Sequence, residues 1–313
     1  MSTDTRVIME ARGLSRRYRN CDAVIDLNLK VEEGSVFAYL GPNGAGKTTT
    51  IRLLMNLVHP SSGEARIFGR PSAALRPAHL ADIGYVAADQ RLPEWMTVGG
   101  LLGYLKPMYP AWDDAFATYL TGMFDLPMNR RIKQLSRGMR RKTALVGALA
   151  YRPKLLVMDE PFSGLDPLVR DEFLQGIIEL TQQERWTVFI STHDIDEVEK
   201  LADRVGILNE GRLALNEGIE ELQGRFRRID CQVEGSDCLN PGLPKTWYQA
   251  SQTGRHLQFI DGAYAENTTA DLLAEPVPGA VITEVNAMSL KEIFLVLARH
   301  YRLTDRKGRG RHK

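Results

Sequence analysis

The spacing of apolar residues predicts strands of two kinds. In residues 24–31, apolar and polar side chains nearly alternate, which is typical of an antiparallel strand with one solvated face. Residues 7–14 form another predicted strand just before it. Residues 36–40, 155–158 and 187–191 are almost continuously apolar, and this pattern indicates buried strands in the centre of a sheet.

Segments with helical spacing separate these strands. Apolar residues recur at helical intervals over residues 51–58 and again over 144–149. Residues 95–125 are also helical in character, rich in aromatic side chains and interrupted by two prolines. This order predicts an α/β fold with a helical insert. The aromatic residues of the insert are compatible with core packing and equally with a docking face.

A second, smaller domain is predicted after about residue 225. Short β-rich segments are followed by a capping box at Ser289–Glu292 and an apolar stripe, which predict an amphipathic helix over 289–301. We therefore expect a small α+β domain over 225–301. Residues 302–313 carry six basic residues and one acidic residue, which predicts a disordered, solvated tail. Attraction of this tail to anionic lipid is the alternative.

Composition narrows the class of protein. A chain of 313 residues is long for one core, so one large and one small domain are expected. The net charge of +1 gives no overall basic field, and we expect no nucleic-acid partner. The three cysteines have no metal or redox spacing, and no apolar run is long enough to cross a bilayer. Any role in a membrane therefore requires a separate membrane protein.

The most specific motif is the phosphate-binding loop pattern Gly41-x-x-x-x-Gly46-Lys47-Thr48, placed between a predicted strand and a predicted helix. Glycines let the backbone approach a ligand closely, so that N–H groups converge on phosphate oxygens at the helix N-terminus. Lys47 provides charge for the terminal phosphates, and Thr48 offers a hydroxyl to magnesium. A glycine-rich turn is the weaker alternative. The predicted contacts of this loop are Gly41, Pro42, Asn43, Gly44, Ala45, Gly46, Lys47, Thr48 and Thr49.

Acidic residues and a histidine follow two of the buried strands. Asp159 and Glu160 end the run at 155–158, and His193 comes just after the run at 187–191. Ligands of open α/β sheets collect at the carboxyl edge of the strands. We therefore expect Asp159 to hold magnesium, Glu160 to activate water, and His193 to contact the γ-phosphate or the water.

Two further stretches are candidates on their own chemistry. Ser136 and Gly138 open a predicted helix that begins with four basic residues, and such a helix start is a candidate anion site. Nucleic-acid binding by these basic residues is the less favoured interpretation, since a solvated or phosphate-facing helix edge accounts for them. Tyr18, before the phosphate loop, is a candidate for stacking on a nucleotide base, although a lone tyrosine is more often structural.

Taken together, five motifs in this order resemble the ATP-binding subunit of an ABC transporter, over about residues 6–224. Their details most resemble the bacterial subfamily that serves exporters of drugs, antibiotics or polysaccharides. The motifs are the phosphate loop, Leu135-Ser136-Arg137-Gly138, Asp159-Glu160, Ser163-Gly164-Leu165-Asp166 and the strand-end His193.

The resemblance implies a P-loop NTPase fold over residues 1–224. A RecA-like core would carry an antiparallel β subdomain and a helical subdomain at about 91–150. It further implies a homodimer or pseudo-dimer in which ATP and Mg²⁺ lie between residues 41–49 of one chain and Ser136 and Gly138 of the other. Tyr18 would then stack on adenine, and Asp166 would contact the partner. A separate multi-span permease is implied, with this chain cytoplasmic and peripheral on the inner face of the membrane.

The sequence departs from the family pattern at two places. Arg137 and Met139 replace the usual residues of the signature, but Ser136 and Gly138 are present. Ala88 stands where the family places a Gln or Glu that contacts magnesium. Gln90 is our candidate for this role, with Asp89 or no side chain as alternatives.

Two other functions fit an ATPase of this family. One is a soluble ABC ATPase that acts on DNA or ribosomes, although such proteins usually have a coiled coil, zinc cysteines or two ATPase units. The other is a regulatory ATPase module.

Overall fold

A computed structural model describes residues 6–309, apart from residues 185, 198, 236–242 and 275. The chain divides into two compact units after Asn216, somewhat before the boundary expected at residue 224. The strand Arg212–Gly218 runs across this boundary, and the helix Ile219–Arg225 belongs to the second unit.

The first unit contains two sheets and six α-helices among the described residues. Its strands are β1 (Val7–Tyr18), β2 (Cys21–Glu32), β3 (Val36–Leu40), β4 (Ser62–Ile67), β5 (Arg70–Pro71), β6 (Ile83–Val86), β7 (Leu155–Asp159), β8 (Thr187–Thr192), β9 (Arg204–Asn209) and β10 (Arg212–Gly218). Its α-helices are α1 (Lys47–Leu54), α2 (Pro77–Leu80), α3 (Val98–Leu105), α4 (Asp114–Met123), α5 (Arg137–Leu149) and α6 (Pro167–Glu184).

One sheet is antiparallel and confirms the alternating pattern seen in the sequence. Its strand order is β2-β1-β4-β5. From residue 27 to 31 of β2, buried Leu27, Leu29 and Val31 alternate with exposed Asn28 and Lys30, as expected for a sheet with one solvated face. β1 is longer than predicted and reaches Tyr18, which pairs with Cys21 at the hairpin turn.

The other sheet has the strand order β10-β9-β3-β8-β7-β6, with parallel pairing from β9 to β6. All residues of β3, β7 and β8 are buried, which confirms the interpretation of the continuous apolar runs. β3 lies between β8 and β9, so the loop that follows β3 is at the centre of the carboxyl edge.

Helices α3, α4 and α5 fall within the range predicted for the helical subdomain. Core packing accounts for some of the aromatic residues of this region, and a docking face for the exposed ones stays a prediction. Phe116 and Phe124 are buried, whereas Trp95 is 71% exposed and Tyr104 is 54% exposed. Ser136 caps α5, because its Oγ accepts a hydrogen bond from the Met139 amide at 3.2 Å.

The second unit is an α+β domain, in agreement with the sequence. Its sheet has the order β12-β13-β11-β14, and Trp247 stacks on Phe259 in its core with ring centroids 3.9 Å apart. Its elements are α7 (Ile219–Arg225), β11 (Arg227–Gln232), β12 (Trp247–Thr253), β13 (His256–Asp261), α8 (Glu266–Ala274), β14 (Val281–Ala287) and α9 (Leu290–Arg309).

The capping box at the start of α9 has the expected contacts. The Ser289 amide donates to Glu292 Oε2 at 2.9 Å, and the Glu292 amide donates to Ser289 Oγ at 3.3 Å. α9 continues to Arg309, past the start of the tail that the sequence predicts to be disordered, because adding residues to an existing helix is far easier than starting one. Cys238 and residues 310–313 lie outside the described residues. Across the described chain, no helix is both long enough and apolar enough to span a membrane.

Candidate active site

The loop between β3 and α1 fits closely against neighbouring backbone. Gly46, at the N-cap of α1, has φ 110°, and a Cβ there would lie 2.2 Å from the carbonyl oxygen of Ala23. A Cβ on Gly41 would lie 2.5 Å from the carbonyl oxygen of Leu208. Only glycine fits at these positions, and the loop therefore presents backbone N–H groups at the start of a helix.

Lys47 is buried and held by three oxygen atoms. Its side chain is only 5% exposed, and Nζ donates to the carbonyl oxygens of Gly41 at 2.6 Å and Pro42 at 3.2 Å. Nζ also lies 3.0 Å from Glu160 Oε1. A buried ammonium requires such partners, and they anchor its charge inside the loop.

Glu160 connects Lys47 to His193. Its second carboxylate oxygen, Oε2, lies 2.8 Å from His193 Nδ1. A carboxylate only accepts, so Nδ1 carries the proton in this contact. Glu160 has φ 48°, a conformation that costs about 1–3 kcal/mol, and its amide donates to the Ser191 carbonyl oxygen at 3.0 Å. The three residues predicted to be catalytic are thus in one chain of contacts.

Asp159 is the most deeply buried carboxylate of the site. It is 1% exposed, and its Oδ1 accepts a hydrogen bond from Ser191 Oγ at 2.6 Å. Its Oδ2 is buried and has no hydrogen-bond partner among the described residues. Sequence reasoning missed Ser191, although Asp159 and Ser191 are register partners on adjacent parallel strands and this pairing was the available signal.

A second polar cluster lies just after β8 and was also missed. Thr192 Oγ1 donates to Glu197 Oε2 at 2.5 Å, and Arg170 lies 3.7 Å from Glu197 Oε1 and 3.5 Å from Asp194 Oδ2. Burial raises the pKa of Glu197, while the hydrogen bond from Thr192 opposes the rise. These contacts tie the backbone after His193 to α6.

The remaining predicted residues lie around this centre. Thr48 and Thr49 are half-buried in the first turn of α1, Ala45 of the loop is buried, and Asn43 is exposed. Tyr18 is 41% exposed, and the Arg16 guanidinium lies 4.6 Å from its ring centroid. The roles predicted for these residues toward a nucleotide stay predictions.

The signature residues open α5 against α6. Ser136 is exposed, whereas Gly138 is buried so closely that a Cβ there would lie 2.4 Å from Val169 Cγ1. Asp166 Oδ1 accepts from the Val169 amide at 3.1 Å and so caps α6. The contacts predicted for Ser136, Gly138 and Asp166 with a second chain stay predictions.

The loop after β6 is organised by backbone contacts. Gln90 is exposed, and its Oε1 accepts from the Ala87 amide at 3.3 Å. Arg141 Nη1 donates to the Ala87 carbonyl oxygen at 2.8 Å, and Nη2 donates to that of Ala88. The assignment of Gln90 to magnesium stays a prediction, and Arg141 is a residue that sequence reasoning did not single out for this loop.

Comparison with known protein families gives two matches. The family described as "ABC transporter" matches residues 24–163. A second family, described as "AAA domain, putative AbiEii toxin, Type IV TA system", matches residues 128–199, which include Ser136, Asp159 and Glu160.

Individual relatives extend the match to nearly the whole chain. The daunorubicin/doxorubicin resistance ATP-binding protein DrrA of Streptomyces peucetius is 31% identical, over 96% of this chain and 95% of its own length. The chain belongs to the ATP-binding proteins of ABC transporters. The bacitracin transport ATP-binding protein BcrA of Bacillus licheniformis is 32% identical to this ABC ATPase, over 71% of it and 73% of BcrA. A solved ATP-binding subunit of an ABC transporter is similar with a TM-score of 0.62 and 27% identity, covering 69% and 92% of the two chains.

As a member of this family, the ABC ATPase hydrolyses ATP with Mg²⁺ and works as a dimer with a separate membrane permease. The residues of the site are suited to bind both ATP and Mg²⁺. Asp159 Oδ2, buried and without a hydrogen-bond partner among the described residues, is a suitable acceptor for a cation or its bound water. The glycine loop leaves room for phosphates beside Lys47, since a Cβ on Gly44 would meet no atom within 4 Å.

Alanine at Gly46 is expected to destabilise the protein and abolish ATP binding. Its Cβ would combine an unfavourable φ of 110° with a clash against Ala23, at a cost of about 2 kcal/mol or more. Gly44→Ala is the matched control. Gly44 also has a positive φ, 83°, so alanine there introduces backbone strain, but its Cβ would contact no neighbouring atom. Thermal unfolding and ATP titration of both variants test this. Equal loss of stability in the two would show that the contact with Ala23 is unimportant.

Proposed function

We propose that this ABC ATPase powers export of a hydrophobic or antibiotic-like compound through a separate multi-span permease, as a subunit peripheral to the inner face of the membrane. The observation that carries the ATPase part is the chain of contacts Lys47–Glu160–His193 beside the buried Asp159. The export direction rests on the relatives, which are named for drug resistance and for bacitracin transport.

In this proposal Glu160 is the general base. Its carboxylate accepts the proton of the attacking water, and the contact with His193 Nδ1 holds that carboxylate in place. Lys47 binds the terminal phosphates from within the loop, next to Glu160. Asp159 and Thr48 would hold magnesium, which would supply positive charge to the phosphate oxygens. Ser191 fixes Asp159 through its hydrogen bond to Oδ1.

The second half of each site comes from a second chain. Ser136, exposed at the N-terminus of α5, and Gly138, in its first turn, form a backbone surface suited to an anion. Tyr18 remains accessible to stack on adenine, with Arg16 against its ring. Asp166 contacts the partner chain in this arrangement, and residues 41–49 provide the phosphate contacts.

The proposal is tested with membranes from cells that express the tagged chain together with a candidate multi-span permease from the same organism. We expect the tagged chain to co-purify with a multi-span membrane protein. We also expect inverted vesicles to accumulate a hydrophobic antibiotic when given ATP and Mg²⁺. Vesicles given ATP with EDTA are the control.

Three outcomes would reject parts of this proposal separately. Co-purification with ribosomes or DNA in place of a membrane protein would favour the soluble alternative. A membrane complex with ATPase activity but no flux would favour a regulatory module. ATP-driven movement of the compound out of the inverted vesicles would overturn export but would still support a transport ATPase subunit.

A further inference from the structure

Arg141 makes an unusual connection between two parts of the first unit. It lies in the second turn of α5, the helix whose N-terminus carries Ser136 and Gly138. Its two terminal nitrogens donate to the carbonyl oxygens of Ala87 and Ala88, two consecutive residues at the end of β6. The planar fork of arginine is suited to such a two-point contact, and lysine is not.

The Arg141 side chain is half-buried between α5 and the loop after β6. The side chain lines a cavity of about 600 Å³, together with Ala88, Asp89 and Gln90. Burial lowers the pKa of Arg141, and the carboxylates of Asp159 and Asp89 act in the opposite direction.

The contact occurs where this chain lacks the side chain that its family usually has. The Ala88 side chain has no polar group, and the Gln90 side chain accepts a hydrogen bond from the Ala87 amide of its own loop. The only side chain described as donating to the Ala87 and Ala88 carbonyls is that of Arg141. A link between this loop and the signature helix is thus present, but it comes from α5.

We propose that Arg141 is a positioning residue for ATP hydrolysis, which fixes the signature helix α5 to the loop after β6 and so sets the position of Ser136 and Gly138. This rests on the proposed function, in which the signature completes the site of a second chain. Arg141 lies on α5, whereas the two carbonyl oxygens that it contacts lie in the loop after β6. A displacement of that loop is therefore transmitted to α5 through this double contact. Misplacement of a binding group by about 1 Å costs up to about 100-fold in rate.

The test compares Arg141→Ala with Arg140→Ala in the full-length chain. Arg140 is the matched control, since it also donates to two backbone carbonyls, those of Ile132 at 3.1 Å and Lys133 at 3.0 Å, but both lie in the helical region itself. We expect Arg141→Ala to lower kcat about tenfold or more and to change KM for ATP by less than about twofold, because the loop at residues 41–49 still binds ATP. Arg140→Ala should keep kcat within about twofold.

A second readout does not depend on turnover. In a Glu160→Gln background, ATP should drive the chain to a dimer on size-exclusion chromatography, and adding Arg141→Ala should reduce the dimer fraction at the same ATP concentration. Arg141→Lys should fall between wild type and Arg141→Ala in both assays, because an ammonium cannot bridge both carbonyls. If Arg141→Ala is poorly folded, Arg141→Lys and Arg141→Gln provide the same comparison.

Equal kcat in Arg141→Ala and wild type, together with equal dimer fractions in Glu160→Gln with and without Arg141→Ala, would overturn the proposal. The proposal would also be overturned if Arg141→Ala and Arg140→Ala lost kcat in proportion to their loss of thermal stability. An absence of Mg²⁺-dependent ATPase activity in the wild-type chain and its complexes would instead reject the proposed function.

Discussion

Replacing Glu160 with Gln is expected to reduce ATP turnover by about two to three orders of magnitude while ATP binding is retained. The amide keeps the shape of the side chain but cannot accept the proton of water. Lys47 loses a negative partner, but Nζ keeps its hydrogen bonds to the carbonyl oxygens of Gly41 and Pro42. The phosphate loop should therefore keep its conformation and its affinity.

Single-turnover hydrolysis and equilibrium ATP binding measure the two expectations separately. Glu179→Gln is the control, because it makes the same chemical change at an exposed glutamate that bonds Tyr119 Oη at 2.8 Å. That variant should hydrolyse ATP at the wild-type rate. Turnover near the wild-type rate in Glu160→Gln would show that another group is the base.

The parts of the site that sequence predicts well are those in which one short segment contains both the chemistry and the element that places it. Asp159 is the last residue of the buried strand β7 and Glu160 follows it, and Glu160 Oε1 lies 3.0 Å from Lys47 Nζ. Parallel register explains Ser191 in the same way, once β7 and β8 are known to be neighbours. Such positions follow from where strands end in an α/β sheet.

Arg141 could not be predicted in this way. It contacts residues more than fifty positions away through their backbone carbonyls, and a carbonyl oxygen leaves no mark on the sequence. The basic cluster at the start of α5 suggested a solvated or phosphate-facing edge, and one of its members is instead half-buried against Ala87 and Ala88. Side-chain-to-backbone contacts between distant segments depend on tertiary packing, which local patterns do not encode.

The boundary between the two units also does not coincide with the end of the sequence motifs. The motifs end near residue 224, but the chain divides after Asn216, because α7 packs with α9 of the second unit. Motifs mark where chemistry is placed, whereas a domain boundary reflects which apolar surfaces are buried together. A boundary that depends on packing between distant segments is therefore harder to predict from motifs than the position of a short segment such as residues 159–160.

The second large effect is expected from two variants that are inactive alone and active together. Lys47→Ala should lose turnover by more than about 100-fold, since it removes the buried charge of the phosphate loop. Gly138→Asp should lose it to a similar degree, because its side chain would meet Val169 Cγ1 and place a carboxylate where the signature is predicted to approach phosphate. Each homodimer then lacks the same half of both of its sites.

A mixed dimer of these two variants contains one site with both halves intact. The Gly138→Asp chain contributes its intact Lys47, and the Lys47→Ala chain contributes its intact Ser136 and Gly138. With free exchange of subunits in an equal mixture, half of the dimers are mixed and each has one of two working sites. We therefore expect about a quarter of the wild-type rate, measured as Mg²⁺-dependent phosphate release.

The control is each variant at the same total concentration, with thermal unfolding to show that Gly138→Asp is folded. Recovery in the mixture would mean that residues 41–49 and the start of α5 act on ATP from different chains, because neither variant contains a complete set by itself. Failure of two folded variants to recover activity would leave two explanations. Either this chain pairs with a different ATPase subunit, or the phosphate loop works without the signature of a second copy. The purified wild-type chain separates them. A site confined to one chain would hydrolyse ATP at a rate per subunit that does not depend on protein concentration, whereas a chain that requires a different ATPase subunit would hydrolyse little ATP by itself.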